Sequence, residues 1–493
     1  MIDFGISKIM NIKMVKFSIR VLIVVVIFLF SCTNNFEEIN TDPNNPTVVP
    51  TSYLMTGAQR SILNSNYITT GMLYTQQWSE TLYTGTSRYA QQSASFESYY
   101  AGPLLDLQHI IDLNTKDETK DAAAFSGSNE NQIAVCRILK VLIFQFITDT
   151  WGEIPYFDAL KGDDNLNPNL SPKYDTQEAI YNHFISELAE ASEQINLDAR
   201  GMDGDILFEG NMAAWHLFAN SLKMRVGIRM TEVNPSLAKE TIESAFENGV
   251  FSSNANNALY PYLDEANNYN PIYEYYITGN RWAISDIMAD YMFAINDPRL
   301  PIYADPAVAS NSIVGMPYGV DETIAASIPD DEISLPGQAV RQSTSKGIIM
   351  TYSEVLFIMA EAAQRGWDVG GETAEALYEQ AITASMEYWG VDSVDISTYL
   401  TNPDVKFDPA NYKKSIGEQK WISLYMNGAE SWSEWRRLDY PQLQPAPDAI
   451  EGREIPRRRA YALSEYNLNE TNVMEAVSRQ GPDVMETRIW WDQ

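Results

Sequence analysis

Residues 352–365, with the sequence YSEVLFIMAEAAQR, decide the fold because they place apolar side chains on nearly every side of a helix. A helix of that kind is buried among other elements rather than lying at a surface. We expect it to end near Gly366, a residue type that commonly follows a helix. The stretch therefore predicts a buried central helix.

Helical periodicity recurs on both sides of that stretch. Asp175 and Glu178 form a capping-box-like start for a helix whose apolar face comprises Ile180, Tyr181, Phe184, Ile185, Leu188 and Ile195. A helix of about 212–231, ended by Asn234-Pro235, has an apolar face made of Trp215, Phe218, Ala219 and Leu222. The pattern returns before Gly390, at Ala374, Leu377, Tyr378, Ala381 and Ile382. Together these faces predict an all-α fold.

Long connections rich in Asn, Pro and Tyr separate the helices, at 161–174, 252–282, 296–347 and 391–413. Loops of this length inside a compact domain are usually functional. The alternation typical of strands does not persist, and we predict only a small hairpin within Arg341 to Met350. Because no break separates independent domains, we predict one helical domain over residues 51–493.

The N-terminus predicts an exported, lipid-anchored chain. A basic region (Lys8, Lys13, Lys16 and Arg20) precedes ten apolar residues, Val21 to Phe30, which are too few to span a bilayer. The following Leu29-Phe30-Ser31-Cys32 resembles a lipobox, so we predict a signal peptide over 1–31 and lipidation at Cys32. Residues 32–50 then form a tether, and the acidic Glu37-Glu38 resembles the export tags of surface-facing lipoproteins. The second cysteine, Cys136, lies in an apolar stretch and is predicted to be a buried small hydrophobe.

Composition excludes several classes of function. The chain carries 34 basic and 66 acidic residues, so its net charge of −32 argues against nucleic-acid binding and against electrostatic docking on anionic lipid. No HExxH, CxxC, G-x-S-x-G, GxGxxG or Walker A motif occurs. The loop at Asp163 begins like a calcium loop but has Pro168 where the turn needs Gly. We therefore predict no enzyme activity, no cofactor and no regular metal site, while an irregular Ca²⁺ site on an acidic loop stays open.

Six blocks in order resemble the SusD/RagB family of starch-utilisation-type outer-membrane lipoproteins. They are residues 35–46 (NFEEINTDPNNP), 149–156 (DTWGEIPY), 215–225 (WHLFANSLKMR), 352–362 (YSEVLFIMAEA), the pair 418–425 (EQKWISLY) and 434–441 (EWRRLDYP), and 455–461 (IPRRRAY) with a final Trp490-Trp491-Asp492.

The resemblance implies a tetratricopeptide-like scaffold of helix pairs with an irregular ligand-binding region on one side. It also implies a partner, a SusC-like TonB-dependent outer-membrane transporter over which the lipoprotein sits as a lid. Most members of the family handle oligosaccharides, and some take peptides or other nutrients. The expected location is the outer membrane, anchored by lipid and facing the cell exterior.

The charged residues inside these blocks are expected to be structural. Glu354, Glu361, Arg436 and Arg437 lie in helical, aromatic-rich segments, where they can satisfy one another as buried pairs. An alternative is that the cluster Arg457 to Arg459 grips an acidic ligand.

A sugar site needs exposed aromatic rings for stacking, with polar side chains at the rim. Two segments fit this description, Tyr74 to Tyr100 and Asn254 to Trp282, in which Pro261 and Pro271 favour an irregular backbone. The candidate binding residues are Trp78, Tyr83, Arg88, Tyr89, Asn268, Tyr269, Tyr273, Tyr276, Asn280 and Trp282. The competing interpretation is that these rings pack the protein's own core, above all Tyr74 and Trp78, which are spaced i,i+4.

Three functions remain open at this point. The first is capture of a glycan or another nutrient for a transporter, and the second is peptide capture, which would rely on backbone grooves more than on rings. The third is a helical-repeat adaptor without a small ligand. The aromatic composition of residues 254–282 favours the first.

Overall fold

Helices dominate the computed structural model, which describes residues 49–63, 65–91, 94–162, 168–279 and 281–493. The predicted signal peptide, Cys32 and the tether up to residue 48 lie outside the described residues, as does the loop at 163–167. Residues Thr51–Gln493 form one compact unit. The predicted all-α fold class is confirmed.

The longer helices follow one another through the whole unit. In chain order they are α1 (Thr51–Arg60), α2 (Ser65–Tyr74), α3 (Leu105–Thr115), α4 (Asn129–Trp151), α5 (Gln177–Gln194), α6 (Met212–Arg229), α7 (Pro235–Glu247), α8 (Pro271–Thr278), α9 (Asp286–Ala294), α10 (Tyr352–Gln364), α11 (Ala374–Tyr388), α12 (Tyr412–Ser423), α13 (Gly428–Leu438) and α14 (Glu470–Gln480). Shorter helical turns include Glu97–Tyr99, Tyr100–Leu104, Lys120–Ala123, Leu300–Tyr303, Glu322–Ala325, Gln338–Arg341, Ser393–Tyr399 and Leu463–Leu468.

Helix α10 is buried as its composition predicts. Every residue from Ser353 to Ala362 is buried, and the Thr351 hydroxyl caps the helix by accepting a hydrogen bond from the Glu354 amide. The start of α5 differs from the prediction, because Thr176, not Asp175, caps it. The Asp175 carboxylate instead accepts hydrogen bonds from the Tyr156 and Phe157 amides, which pins the preceding loop.

Neighbouring helices pack in layers. Helix α10 lies along α11, α6 lies between α5 and α7, and α4 lies between α3 and α5. Helices α2 and α13 approach most closely where Gly71 faces Gly428. A Cβ atom at Gly71 would lie 1.8 Å from the Gly428 carbonyl oxygen, so this crossing requires glycine.

Three small antiparallel pairs of strands join separate parts of the chain. Strand β1 (Trp78–Glu80) pairs with β5 (Trp282–Ile284), β2 (Ile154–Pro155) with β3 (Tyr174–Asp175), and β4 (Ala258–Tyr260) with β6 (Gly347–Met350). The β1–β5 and β4–β6 pairs join segments far apart in sequence, whereas β2 and β3 flank a single loop.

Two local predictions are corrected by these elements. A strand does form within Arg341 to Met350, but β6 pairs with β4 instead of folding back as a hairpin. The segment around Pro271 is not irregular, because Pro271 opens α8, where a missing amide hydrogen has no cost and Asn270 caps the turn.

A buried ionic network joins α6, α10, α12 and α13. Arg225 binds the Glu354 carboxylate with two bonds of 2.6 and 2.8 Å, and Arg437 binds Glu361 at 2.9 and 2.6 Å. Bidentate pairs of this geometry satisfy charges that burial would otherwise make costly. The prediction that the charged family-like blocks are structural is confirmed.

The Arg457 to Arg459 cluster is also engaged inside the protein. Arg457 pairs with Asp439 at 2.8 Å and with Asp492 at 3.1 Å, while Arg458 pairs with Asp483 at 2.7 Å. These contacts favour a structural role over an acidic ligand. Cys136 is buried within the core, as predicted, and burial raises the pKa of its thiol.

Candidate functional site

The pairing of β1 with β5 brings the two predicted aromatic segments together. Trp78 lies opposite Ile284 and Glu80 lies opposite Trp282, and the Thr81 amide continues the ladder by donating to the Arg281 carbonyl at 3.1 Å. The chain between these strands is about 200 residues long, so only the folded structure joins them.

Aromatic rings pack against one another at the pair formed by β1 and β5. Trp78 is fully buried and stacks on Trp282, with ring centroids 5.7 Å apart, and its indole N–H donates to the Tyr425 hydroxyl at 2.9 Å. The Tyr276 hydroxyl donates to the Trp282 carbonyl at 2.5 Å. Tyr275 meets the Trp282 ring edge-on at 4.8 Å. Packed rings and satisfied polar groups make a rigid floor for a site.

An open cavity of about 530 Å³ lies over this floor. Its lining includes Leu82, Tyr83, Tyr275, Arg281, Trp282 and Ile328. The Tyr83 side chain is 64% exposed, whereas Trp282 is 8% exposed. The cavity thus presents one projecting ring beside a fixed aromatic surface, within the size range of small-ligand pockets.

Polar side chains lie close to the aromatic rings of this cavity. The Arg281 guanidinium lies over the Tyr275 ring, 5.5 Å from its centroid, and Asp330 contributes to the lining from the opposite segment. Glu80 is buried at the cavity edge and accepts hydrogen bonds from the Ser87 amide and hydroxyl at 2.8 and 3.1 Å. Burial raises the pKa of Glu80, and the Ser87 bonds offset part of that effect. Rings with hydrogen-bonding groups at their rim suit a neutral polyhydroxylated ligand.

The predicted residues fall into distinct places. Tyr83 and Trp282 line the cavity, and Tyr276 supports it through its bond to the Trp282 backbone. Trp78 is covered completely by its neighbours and cannot offer a ring face to a ligand. Its prediction as a contact residue is therefore corrected to a supporting role. Trp78 is a core residue, as the competing interpretation expected, but it lies in β1 and not on the helix that ends at Tyr74.

Arg88 and Tyr89 belong to a neighbouring contact instead. Arg88 donates to the Asp448 carbonyl at 2.7 Å and pairs with Asp321 at 3.1 Å. Tyr89 is fully buried, and its hydroxyl accepts from the Ala446 amide at 3.0 Å. These two residues hold the segment around 446–448 against the loop after β1, and neither lines the cavity.

Among the remaining predicted residues, Asn268, Tyr269 and Tyr273 do not line the cavity. Asn268 sits in a turn, with its backbone carbonyl accepting from the Leu263 amide at 2.9 Å. Tyr269 and Tyr273 meet edge-on at 5.1 Å, away from the lining residues. Asn280 lies outside the described residues.

Sequence reasoning missed Tyr275, Arg281 and the segment 326–330. Tyr275 stands in the aromatic-rich segment, but nothing in composition ranks it above its neighbours. The 326–330 segment belongs to the long 296–347 connection and carried no signal of its own. It reaches the site because the Ile284 amide donates to the Ser334 carbonyl at 3.2 Å, which ties that connection to β5.

Within the described ranges, no group of three or more His, Cys, Asp and Glu side chains is placed to hold a metal ion. The loop at Asp163 lies outside those ranges. Over the same part of the chain, no helix has the length and apolar character needed to cross a bilayer.

Comparison with known proteins identifies relatives along nearly the whole length. Residues 43–462 match the SusD-like family described as "Starch-binding associating with outer membrane". A solved structure described as a chitin-binding protein is 27% identical, with a TM-score of 0.78, and the match covers 90% of this chain and 99% of that one.

Two further structures show the same similarity. A chitin-binding SusD homologue from Flavobacterium johnsoniae is 25% identical, with a TM-score of 0.76 and coverage of 90% and 98%. A SusD homologue from Bacteroides uniformis is 26% identical, with a TM-score of 0.75 and coverage of 90% and 99%. These structures share the helical, tetratricopeptide-like fold. Among curated proteins, none matches this sequence.

Proposed function

Because this chain belongs to the SusD-like family, we propose that it binds an oligosaccharide in the cavity over Trp282 and presents it for uptake. The observation that carries the proposal is the exposed Tyr83 ring beside the fixed Tyr275 and Trp282 rings. The family's members are non-enzymatic binding proteins associated with the outer membrane.

The cavity chemistry supports a sugar ligand. A pyranose ring has flat C–H faces that lie against aromatic rings, and its hydroxyls need donors and acceptors at the rim. Tyr83 and Tyr275 provide the rings, while Arg281 and Asp330 provide a donor and an acceptor. The similarity to chitin-binding proteins makes chito-oligosaccharides the first glycans to test.

Delivery to a membrane transporter completes the proposal. Cys32 would carry the lipid anchor, residues 32–50 would act as the tether, and the helical unit would face the cell exterior. The partner would be a SusC-like TonB-dependent outer-membrane transporter that receives the captured ligand. The family description and the N-terminal sequence support this arrangement.

Isothermal titration calorimetry with chito-, malto- and xylo-oligosaccharides and with short peptides tests the ligand. Tyr83→Ala should weaken glycan binding about 2- to 12-fold, since a stacked ring contributes about 0.5–1.5 kcal/mol. Phe293→Ala is the matched control, because that ring is 76% exposed and lies outside the cavity. Equal affinity of the Tyr83 variant and the natural chain for every ligand that binds would refute the proposed site. Binding of peptides alone would favour the peptide-capturing alternative.

Membrane fractionation tests the anchor separately. Cys32→Ala should release the protein from the outer membrane because the acyl chains are the proposed attachment. Cys136→Ala is the matched control, since that buried thiol lies within the core. If Cys32→Ala remains attached to the membrane, the anchoring proposal fails even where glycan binding survives.

A further inference from the structure

A second cavity, larger than the first, is lined by a different set of residues of the helical scaffold. It encloses about 770 Å³ between α3, α4, α5 and the 156–161 loop. Residues spaced three or four apart point into it from each helix: Gln108 and Asp112 from α3, Lys140 and Phe144 from α4, and His183 and Glu187 from α5. The regular spacing shows a groove formed by three helix faces.

Four cationic side chains line the groove, although the chain as a whole is strongly acidic. Its lining carries Lys116, Arg137, Lys140 and Lys161 against only two carboxylates, Asp112 and Glu187. Three of these cations are already paired: Arg137 with Glu187 at 2.8 Å and Glu190 at 2.6 Å, Lys116 with Asp112 at 3.9 Å, and Lys161 with Asp158 at 3.5 Å. Among the described residues, Lys140 is the cation of this lining that has no carboxylate within ion-pair distance.

Lys140 is the group that distinguishes the groove. Its ammonium donates to Gln108 Oε1 at 2.6 Å, the one hydrogen bond recorded for it among the described residues. Gln108 in turn donates from its amide nitrogen to Asp112 Oδ1 at 2.9 Å, which fixes its oxygen toward Lys140. Burial lowers the pKa of Lys140, and the neighbouring carboxylates offset that effect only in part. An anion bound beside this ammonium would compensate for the desolvation.

Aromatic rings form the rest of the groove. Phe144 and Tyr156 meet edge-on with centroids 4.7 Å apart, and Phe157 lies 5.0 Å from Tyr156 with 43% of its side chain exposed. Tyr156 is held by its hydroxyl, 2.9 Å from His183 Nδ1. A fixed aromatic wall beside an under-neutralised ammonium favours a ligand that has both an apolar face and a negative charge.

We propose that the groove formed by α3, α4 and α5 binds a small ligand that carries a carboxylate on a body with a flat apolar face. The carboxylate contacts the Lys140 ammonium, and the body lies against Tyr156 and Phe157, with the buried Phe144 ring supporting Tyr156 from behind. The site is separate from the cavity over Trp282 and does not depend on what that cavity binds. A sugar acid and an N-acylated aromatic amino acid both have this chemistry.

Calorimetry with two acids and their neutral counterparts tests the proposal and distinguishes a sugar acid from an N-acylated amino acid as the ligand. The probes are digalacturonate with its dimethyl ester, and N-acetylphenylalanine with its amide. At least one acid should bind at least about tenfold more tightly than its neutral form, because a charge-assisted hydrogen bond is lost in the neutral form. The acid that binds shows which of these two ligand classes the groove accepts. If neither acid binds below about 10 mM, or if each neutral form binds as well as its acid, the proposal is wrong.

Variants locate the binding in the groove. Lys140→Met should abolish the preference for the acid, whereas Lys239→Met, a half-exposed lysine on α7, should preserve it. Gln108→Glu keeps the Lys140 ammonium and places a carboxylate beside it. This variant should weaken binding of the acid by about the same tenfold that separates the acid from its neutral form. Acid binding that survives Gln108→Glu unchanged would overturn the assignment, even where Lys140→Met fails to fold.

Discussion

Replacement of Glu434 by Gln tests the buried ionic network at its centre. The Glu434 carboxylate accepts from Lys420 at 2.8 Å, from Arg437 at 2.7 and 3.0 Å, and from Arg229. All four side chains are buried. Glutamine has nearly the same shape, so the substitution removes the charge and leaves the packing.

The magnitude follows from what the substitution leaves behind. Three buried cations lose a shared carboxylate. Glu361 remains close to Arg437, and Glu430 at 2.6 Å and Asp149 at 3.6 Å remain close to Arg229. Removal of one partner from a buried ion pair costs about 3–5 kcal/mol. We expect a decrease of that size in the free energy of unfolding, measured by urea denaturation followed by tryptophan fluorescence.

Glu265→Gln provides the matched control, because Glu265 is exposed in the turn before Asn268. Its free energy of unfolding should stay within about 0.5 kcal/mol of the natural chain. A decrease below about 1 kcal/mol for Glu434→Gln would refute the reasoning, since it would mean that the network tolerates an unpaired buried cation.

Two further predictions concern the helix crossing at Gly71 and the pH dependence of the stability that Glu434 contributes. Gly71→Ala should lower the free energy of unfolding by about 1–3 kcal/mol, because its Cβ meets the α13 backbone. Gly57→Ala on α1, where the new Cβ meets only Asp106 Oδ2 at 3.7 Å, should be neutral or stabilising, and equal urea midpoints for the two variants would contradict the close crossing. Burial alone would raise the pKa of Glu434, but Arg437, Lys420 and Arg229 outweigh it and hold that pKa well below the usual value. The stabilisation is therefore present above the ordinary glutamate pKa of about 4.3 and is lost as the pH falls through the folded-state pKa, so the difference in unfolding free energy between the natural chain and Glu434→Gln should narrow below about pH 4. A constant difference from pH 7 to pH 3 would contradict this assignment.

Much of the helical scaffold is predictable from local pattern. Residues 352–365 are apolar on nearly every side, and the structure buries Ser353 to Ala362, because a helix without a continuous polar face has no stable place at a surface. The sequence also predicted that the charged residues of these blocks pair with one another, while the particular pairs, such as Glu361 with Arg437, come from the structure. The strand pairings were not predictable, because each strand is two to four residues long and two of the three pairs join segments far apart in sequence.

The site was predictable as a region but not residue by residue. Composition located the two aromatic segments, and the structure joins them through β1 and β5. Composition could not separate the exposed Tyr83 from the buried Trp78 and Tyr89, since burial depends on long-range packing. Arg281 and Asp330 could not be found from their own sequence neighbourhoods, because their role comes from the fold.

A crystal structure of the protein with a bound chito-oligosaccharide tests the central claim most directly. We predict a sugar ring against Tyr83, with the reducing or non-reducing neighbour extending toward Arg281 over the Trp282 floor. If the titration shows binding but the glycan lies elsewhere, with the cavity over Trp282 empty, the proposed site is wrong.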